Sequence, residues 1–105
     1  MGVVVIACYR PKSGKNAELE ALTKEHVPTL RAQGLVTDRT PIISRAADGT
    51  NVEVFEWASQ EAIDKAHTNP EVLKLWERYG EVCDYGKLIE VKESSDPWAM
   101  FSPLN

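Results

Sequence analysis

A chain of 105 residues carrying a formal charge of −4 is one small domain, long enough to bury a modest core and short for an enzyme that must enclose a substrate alone. Its 12 lysines and arginines are scattered, so no basic face tracks phosphates and nucleic acid is excluded as the expected partner. Two cysteines, Cys8 and Cys83, are too few and too far apart for a disulfide framework or a cysteine-rich zinc site, and read as small buried hydrophobes of a reduced, cytoplasmic protein.

The first apolar run, Val3 to Ala7 within the longer stretch Val3 to Tyr9, is too short to span a membrane and lacks the basic start of a signal peptide. Its unbroken hydrophobicity predicts a strand covered on both faces. Arg10 to Gly14 reads as a turn, with Ser13 as the cap of a helix of about twenty residues ending at Gly34. Leu19, Leu22, His26 and Leu30 recur at spacings of three and four and share one face of that helix. Pro28 should bend it or open a second segment.

Leu35 to Ala46 reads as a second strand, with Pro41 marking an edge or a bulge. Asp48-Gly49 marks a hairpin turn. Val52 to Trp57 is the third strand, with Glu53, Phe55 and Trp57 on one face and Val52, Val54 and Glu56 on the other. A buried Glu53 would need a partner, for which Arg45 is the candidate. Ser59 caps a short helix on which Ile63 and His67 stack, and Asn69-Pro70 caps the next. That third helix runs to about Val82, with Val72, Trp76, Tyr79 and Cys83 on its apolar face. Tyr85 to Val91 alternates as a last strand.

The order β-α-β-β-α(α)-β predicts a ferredoxin-like α+β domain over residues 1–92, with one four-stranded antiparallel sheet and helices on one face. Apolar residues on both strand faces require a cover for the other face, and sheet-to-sheet homodimerisation supplies it. Residues 93–105 form a tail that turns aromatic at Trp98, Met100, Phe101 and Leu104, and should dock on its own or the partner subunit.

Phe55-Glu56-Trp57, Ser59, Glu61-Ala62, His67 and Asn69-Pro70 together resemble the central signature of the antibiotic biosynthesis monooxygenase-like family. The resemblance covers about residues 3 to 92. It implies a dimeric α+β barrel with a cavity between sheet and helices in each subunit. The family includes oxygenases of quinol-like aromatics that use no metal or flavin, haem-degrading enzymes, and proteins without known activity. Haem-degrading members pair a strand-end tryptophan with a histidine ten residues on, as Trp57 and His67 stand here. They also carry an asparagine on the first strand, which VVVIACYR lacks.

Cofactor-free oxygenation asks the protein for an apolar pocket, a base and donors to developing charge. His26 and His67 are the candidate bases, each with a plain structural role as the competing reading: a satisfied core histidine, and a helix C-terminal cap favoured by the dipole. Phe55, Trp57 and Trp76 are candidate walls of a substrate cavity, and Tyr9 and Tyr79 candidate donors to a ligand oxygen. Arg10 and Arg39 are candidates for binding a carboxylate. The resulting expectation is a homodimer without cofactor or metal that oxygenates a small hydroxylated aromatic. The alternatives are the same cavity binding an apolar metabolite without turnover, and haem binding or degradation.

Overall fold

The computed structural model describes residues 2–105 as a five-stranded antiparallel sheet with three α-helices, compatible with a ferredoxin-like arrangement. Strand β1 (Val3–Pro11) lies inside the sheet, paired with β3 (Asn51–Trp57) on one side and β4 (Cys83–Gly86) on the other. Strand β2 (Ile42–Arg45) pairs with β3, and β5 (Ser102–Pro103) pairs with β2, giving the order β4-β1-β3-β2-β5.

Helix α1 (Asn16–Ala32) starts two residues beyond Gly14, whose φ of +75° makes the turn. Ser13 does not cap it; no side chain does. Pro28 sits on the exposed side, and the helix continues through it to Ala32. The loss of one backbone donor is tolerated because Val27 and Leu30 are fully buried and hold that turn against the core. The helix ends where Gly34 takes φ +72°, the Gly34 amide bonding the Arg31 carbonyl and the Leu35 amide the Leu30 carbonyl. This paired closure needs a left-handed residue and turns Leu35 back into the core.

The second strand is far shorter than Leu35 to Ala46. Residues 35–41 form a loop held to β3 by one bridge between Val36 and Trp57. Pro41 precedes the strand instead of interrupting it, because it has no N–H to give the ladder. The hairpin turns at Asp48-Gly49, where the Asp48 carboxylate accepts the Thr50 amide at 2.9 Å and Gly49 has φ +96°.

Helix α2 (Gln60–Ala66) is capped by Ser59, whose Oγ accepts the Ala62 amide at 3.0 Å. Helix α3 (Pro70–Val82) is capped by Asn69, whose Oδ1 accepts the amides of Glu71 and Val72. Cys83 is not on that helix; it begins β4 and, like Cys8, is buried, with burial pushing both thiols up, Cys83 to about 11.

The expected strand from Tyr85 to Val91 stops at Gly86. Glu90 accepts the Lys87 amide at 2.7 Å and closes a short 3-10 turn over Leu88–Glu90. A second such turn spans Lys92–Ser95. Val91 is thereby free to pack on Cys8, Ala46 and Val52, with Phe101 against them. The tail then returns as β5, so the sheet has five strands and not four. The Leu104 amide donates to the Ile43 carbonyl, and the Asn105 side chain accepts from the Ile43 amide and donates to the Pro41 carbonyl.

Register sorts the sheet into two faces, because opposed residues in an antiparallel pair point the same way. Val5, Ala7 and Tyr9 of β1 lie opposite Phe55, Glu53 and Asn51 of β3. This face packs on the helices through Leu19, Leu22, Val27 and Leu30 of α1 and Val72, Leu75, Tyr79 and Val82 of α3. Burying each such aliphatic side chain contributes about 1.5–3 kcal/mol. The other face carries Val4, Ile6, Cys8, Ile42, Val52 and Val54.

Candidate functional site

Between the sheet and the helices lies a cavity of about 370 Å³. Its walls are Val5, Ala7 and Tyr9 from β1, Phe55 and Trp57 from β3, His26 from α1, His67 at the end of α2, Trp76 and Tyr79 from α3, and Tyr85 from β4. The seven residues singled out from the sequence as base, wall or donor therefore meet in one place. Each arrives there by a local rule. Period two on β3 puts Phe55 and Trp57 on the helix side, and a helical spacing of three puts Trp76 and Tyr79 on one face of α3.

The polar centre of the cavity is a chain of hydrogen bonds that begins at a buried carboxylate. Glu53 is fully buried. Its Oε1 accepts the Tyr9 hydroxyl at 2.7 Å and faces His26 Nδ1 at 2.8 Å. On the other side of the imidazole, the Trp76 indole N–H donates to His26 Nε2 at 3.1 Å. An indole nitrogen only donates, so Nε2 must carry the lone pair. Nδ1 then carries the proton and gives it to Glu53. The geometry thus sets one tautomer of a neutral imidazole, with its carboxylate partner behind it and its basic nitrogen toward Trp76. Rings pack around this arrangement edge-on: Phe55 lies 5.3 Å and Tyr79 5.4 Å from the His26 centroid.

Glu53 is not paired with Arg45, whose guanidinium lies 3.6 Å from Glu20. The reason is register. Arg45 sits opposite Asn51 at the far end of β3, whereas Tyr9 and His26 close over Glu53 from β1 and α1. Tyr9 accordingly spends its proton on Glu53 and is not a free donor to a ligand. Burial, and after it the Glu53 charge, pushes the Tyr9 phenol well above its usual range. Burial likewise raises Tyr79, with Thr23 and Tyr9 near its hydroxyl pulling the other way; Glu53 Oε2 is buried without a well-formed hydrogen bond to the described residues. Thr23 and Asn51, hydrogen-bonded to each other at 3.1 Å and fully buried, extend the polar patch under the cavity.

His67 differs from the expected inward-facing side chain. It is the C-cap residue of α2 and is exposed, at the cavity mouth. Its Nδ1 bonds the Ile63 carbonyl at 2.8 Å, so that nitrogen carries the proton. Its ring packs edge-on against Trp76, with centroids 5.3 Å apart. Trp76, a candidate cavity wall from the sequence, thus stands between the two histidines. The pattern of the haem-degrading members is incomplete here, because β1 carries no asparagine to go with Trp57 and His67. Arg10 and Arg39 are outside the cavity, paired with Glu90 at 3.5 Å and Glu56 at 3.1 Å. Among the described residues no cluster of three or more potential metal-binding side chains occurs.

Sequence reasoning missed the role of Glu53 as the partner of His26, although one signal was present: an acidic residue two and four positions before Phe55 and Trp57 on a strand whose face is otherwise apolar. It also missed Tyr85, which was placed in a longer strand.

No protein-family model matches the chain, and no curated protein matches it. Among solved structures, that of Rv0793 from Mycobacterium tuberculosis is similar, with a TM-score of 0.65 and 25% identity over 82% of this chain and 89% of that one. The likeness supports a small α+β fold shared along most of both chains.

Proposed function

We propose that this protein binds a small planar hydroxylated aromatic in the cavity and oxygenates it without a cofactor, with His26 as general base. The observation that carries the reading is the Glu53–His26 pair: an imidazole whose Nδ1–H is held by a buried carboxylate and whose Nε2 lone pair faces an aromatic cavity. That is the arrangement of a base oriented by a third group. His26 Nε2 takes a proton from the substrate, and the Glu53 carboxylate stabilises the imidazolium that forms. The electron-rich anion reduces O₂, and a C–O bond forms to give a peroxide. The peroxide recovers the proton from His26, and loss of water leaves a carbonyl. One oxygen atom ends in the product and one in water. Phe55, Trp57 and Trp76 supply stacking surface, and the Tyr79 hydroxyl supplies a further donor.

The active form in this reading is a homodimer. Val4, Ile6 and Ile42 on the outer sheet face are 59%, 46% and 64% exposed, an apolar group that a second sheet would cover. No helix among the described residues is long and apolar enough to cross a membrane. The signature around Phe55–Trp57 and His67 supports the same reading through its resemblance to the monooxygenase-like family.

A second reading, ligand binding without turnover, is favoured by one specific observation: the His26 lone pair is already taken by Trp76. Oxygen uptake across a panel of quinols and anthrone-like phenols separates the two. Substrate-dependent uptake that disappears in His26→Gln supports the oxygenase. Uptake at the blank rate, with ligand retained by the dimer in native mass spectrometry, supports the binder.

A further inference from the structure

We propose that Trp76 is a displaceable cap on the base: its indole N–H holds the place on His26 Nε2 that a ligand hydroxyl takes, and binding exchanges one donor for the other. The inference rests on the cavity reading above and adds how that site is controlled.

Three observations carry it. The tautomer that the Trp76 bond reveals is also held from behind, by the Glu53 carboxylate that Tyr9 anchors. Nε2 therefore keeps its lone pair whether or not the indole is there, and any O–H or N–H donor can take it. The two bonds are also unequal. The one to Glu53 is 2.8 Å, buried and charge-assisted, while the one from Trp76 is 3.1 Å, neutral and at the long end of the usual range. The indole is the partner that yields. Finally, Trp76 is only half-buried, whereas Tyr79, one helical turn on, is fully buried. Its outward neighbour is the exposed His67 ring, so one side of the indole lies toward solvent while the other packs on the core.

The exchange swaps one N–H···N bond for one O–H···N bond, so the hydrogen-bond count at His26 is unchanged. A flat ligand with a hydroxyl competes for Nε2, while a flat ligand without one does not. In the unliganded protein the cap keeps the base from water and from adventitious donors.

The test uses 1-naphthol and naphthalene as paired probes on the full chain. Titration of the wild type, followed through the indole N–H resonances, is expected to shift the Trp76 resonance toward that of a non-bonded indole with 1-naphthol and leave it in place with naphthalene. The His26 nitrogens should keep the Nδ1–H pattern throughout. Trp76→Phe is expected to bind 1-naphthol about tenfold more tightly while the naphthalene affinity moves less than about threefold. The cap is overturned if 1-naphthol binds with the Trp76 resonance unmoved, or if both probes gain equally in the variant, which would report only added room. Should Trp76→Phe fail to fold, the wild-type spectra decide alone. Binding of neither probe to the wild type takes down the cavity reading itself, and the cap with it.

Discussion

The two faces of one sheet are built on opposite principles. On the helix side, β1 and β3 present Tyr9, Glu53, Phe55 and Trp57, and every one is buried. On the outer side the same strands present Val4, Ile6, Cys8, Val52 and Val54, and the apolar surface is half open. Val91 and Phe101 cover the Cys8–Val52 end, while Val4, Ile6 and Ile42 are left to water, with Trp98 and Met100 of the tail 83% and 80% exposed nearby in sequence to that cover. A face that buries a carboxylate against an imidazole sacrifices apolar burial for a specific polar arrangement. A face of plain aliphatics is interchangeable in detail and suited to a partner surface. The contrast teaches that a single layer can bury a polar network on one side while leaving plain apolar surface on the other.

Perturbing the inner face should have the largest effect. His26→Gln removes the base and is expected to lower turnover of any substrate the cavity accepts by about 10²- to 10⁴-fold, read by oxygen uptake. His67→Asn, at the exposed mouth, should change it less than about threefold; equal losses would erase the distinction between the two histidines.

Glu53→Ala comes next. It strands the Tyr9 hydroxyl and His26 Nδ1–H in the core, and urea denaturation should report a loss of about 3 kcal/mol. Glu53→Gln keeps an acceptor for both and should recover more than half of that. A Glu53→Ala variant as stable as the parent would mean that the inner face gains nothing from its carboxylate.

On the outer face, Ile6→Lys is expected to convert a dimer into a monomer in native mass spectrometry while changing subunit stability by about 0.5 kcal/mol or less, as at an exposed position. If the parent is already a monomer, the outer face is simply tolerated apolar surface, and the contrast reduces to one functional face.

The smallest effect lies in the alkaline range. The folded-state ionisation of Tyr9 is raised well above 10, first by burial and then by Glu53. A raised ionisation means that the fold favours the protonated phenol. That stability is whole below pH 10, the unfolded value, and is lost as pH climbs through the folded one. The phenolate absorbance should therefore show Tyr85 titrating first, with Tyr9 and Tyr79 ionising together only as the fold opens. Three independent, gradual ionisations would show the inner face to be wetter than its packing implies.

Local structure was legible wherever one or two residues carry the physical cause. Asp48-Gly49, Ser59, Asn69-Pro70 and Gly34 end or begin elements by their own conformational freedom or capping oxygens, and each does so here. The weak places were equally local. Alternation from Tyr85 to Val91 suits a strand, yet the chain turns over Leu88–Glu90 and buries Val91 on the outer face. Leu35 to Pro41 has strand-like residues but lies beside a proline that cannot join the ladder.

The candidate site was legible as a set of residues and not as a mechanism. Period two on β3 and a spacing of three or four on the helices are properties of the chain alone, and they placed Glu53, Phe55, Trp57, His26, Trp76 and Tyr79 on inward faces. Which of these touch is decided across long separations: Tyr9 and Glu53 are 44 residues apart, His26 and Glu53 are 27, and His26 and Trp76 are 50. A face is a one-dimensional property that repeats along the sequence. A hydrogen bond of 2.8 Å depends on strand register and on how α1 and α3 settle over the sheet, and only the packed tertiary structure sets those.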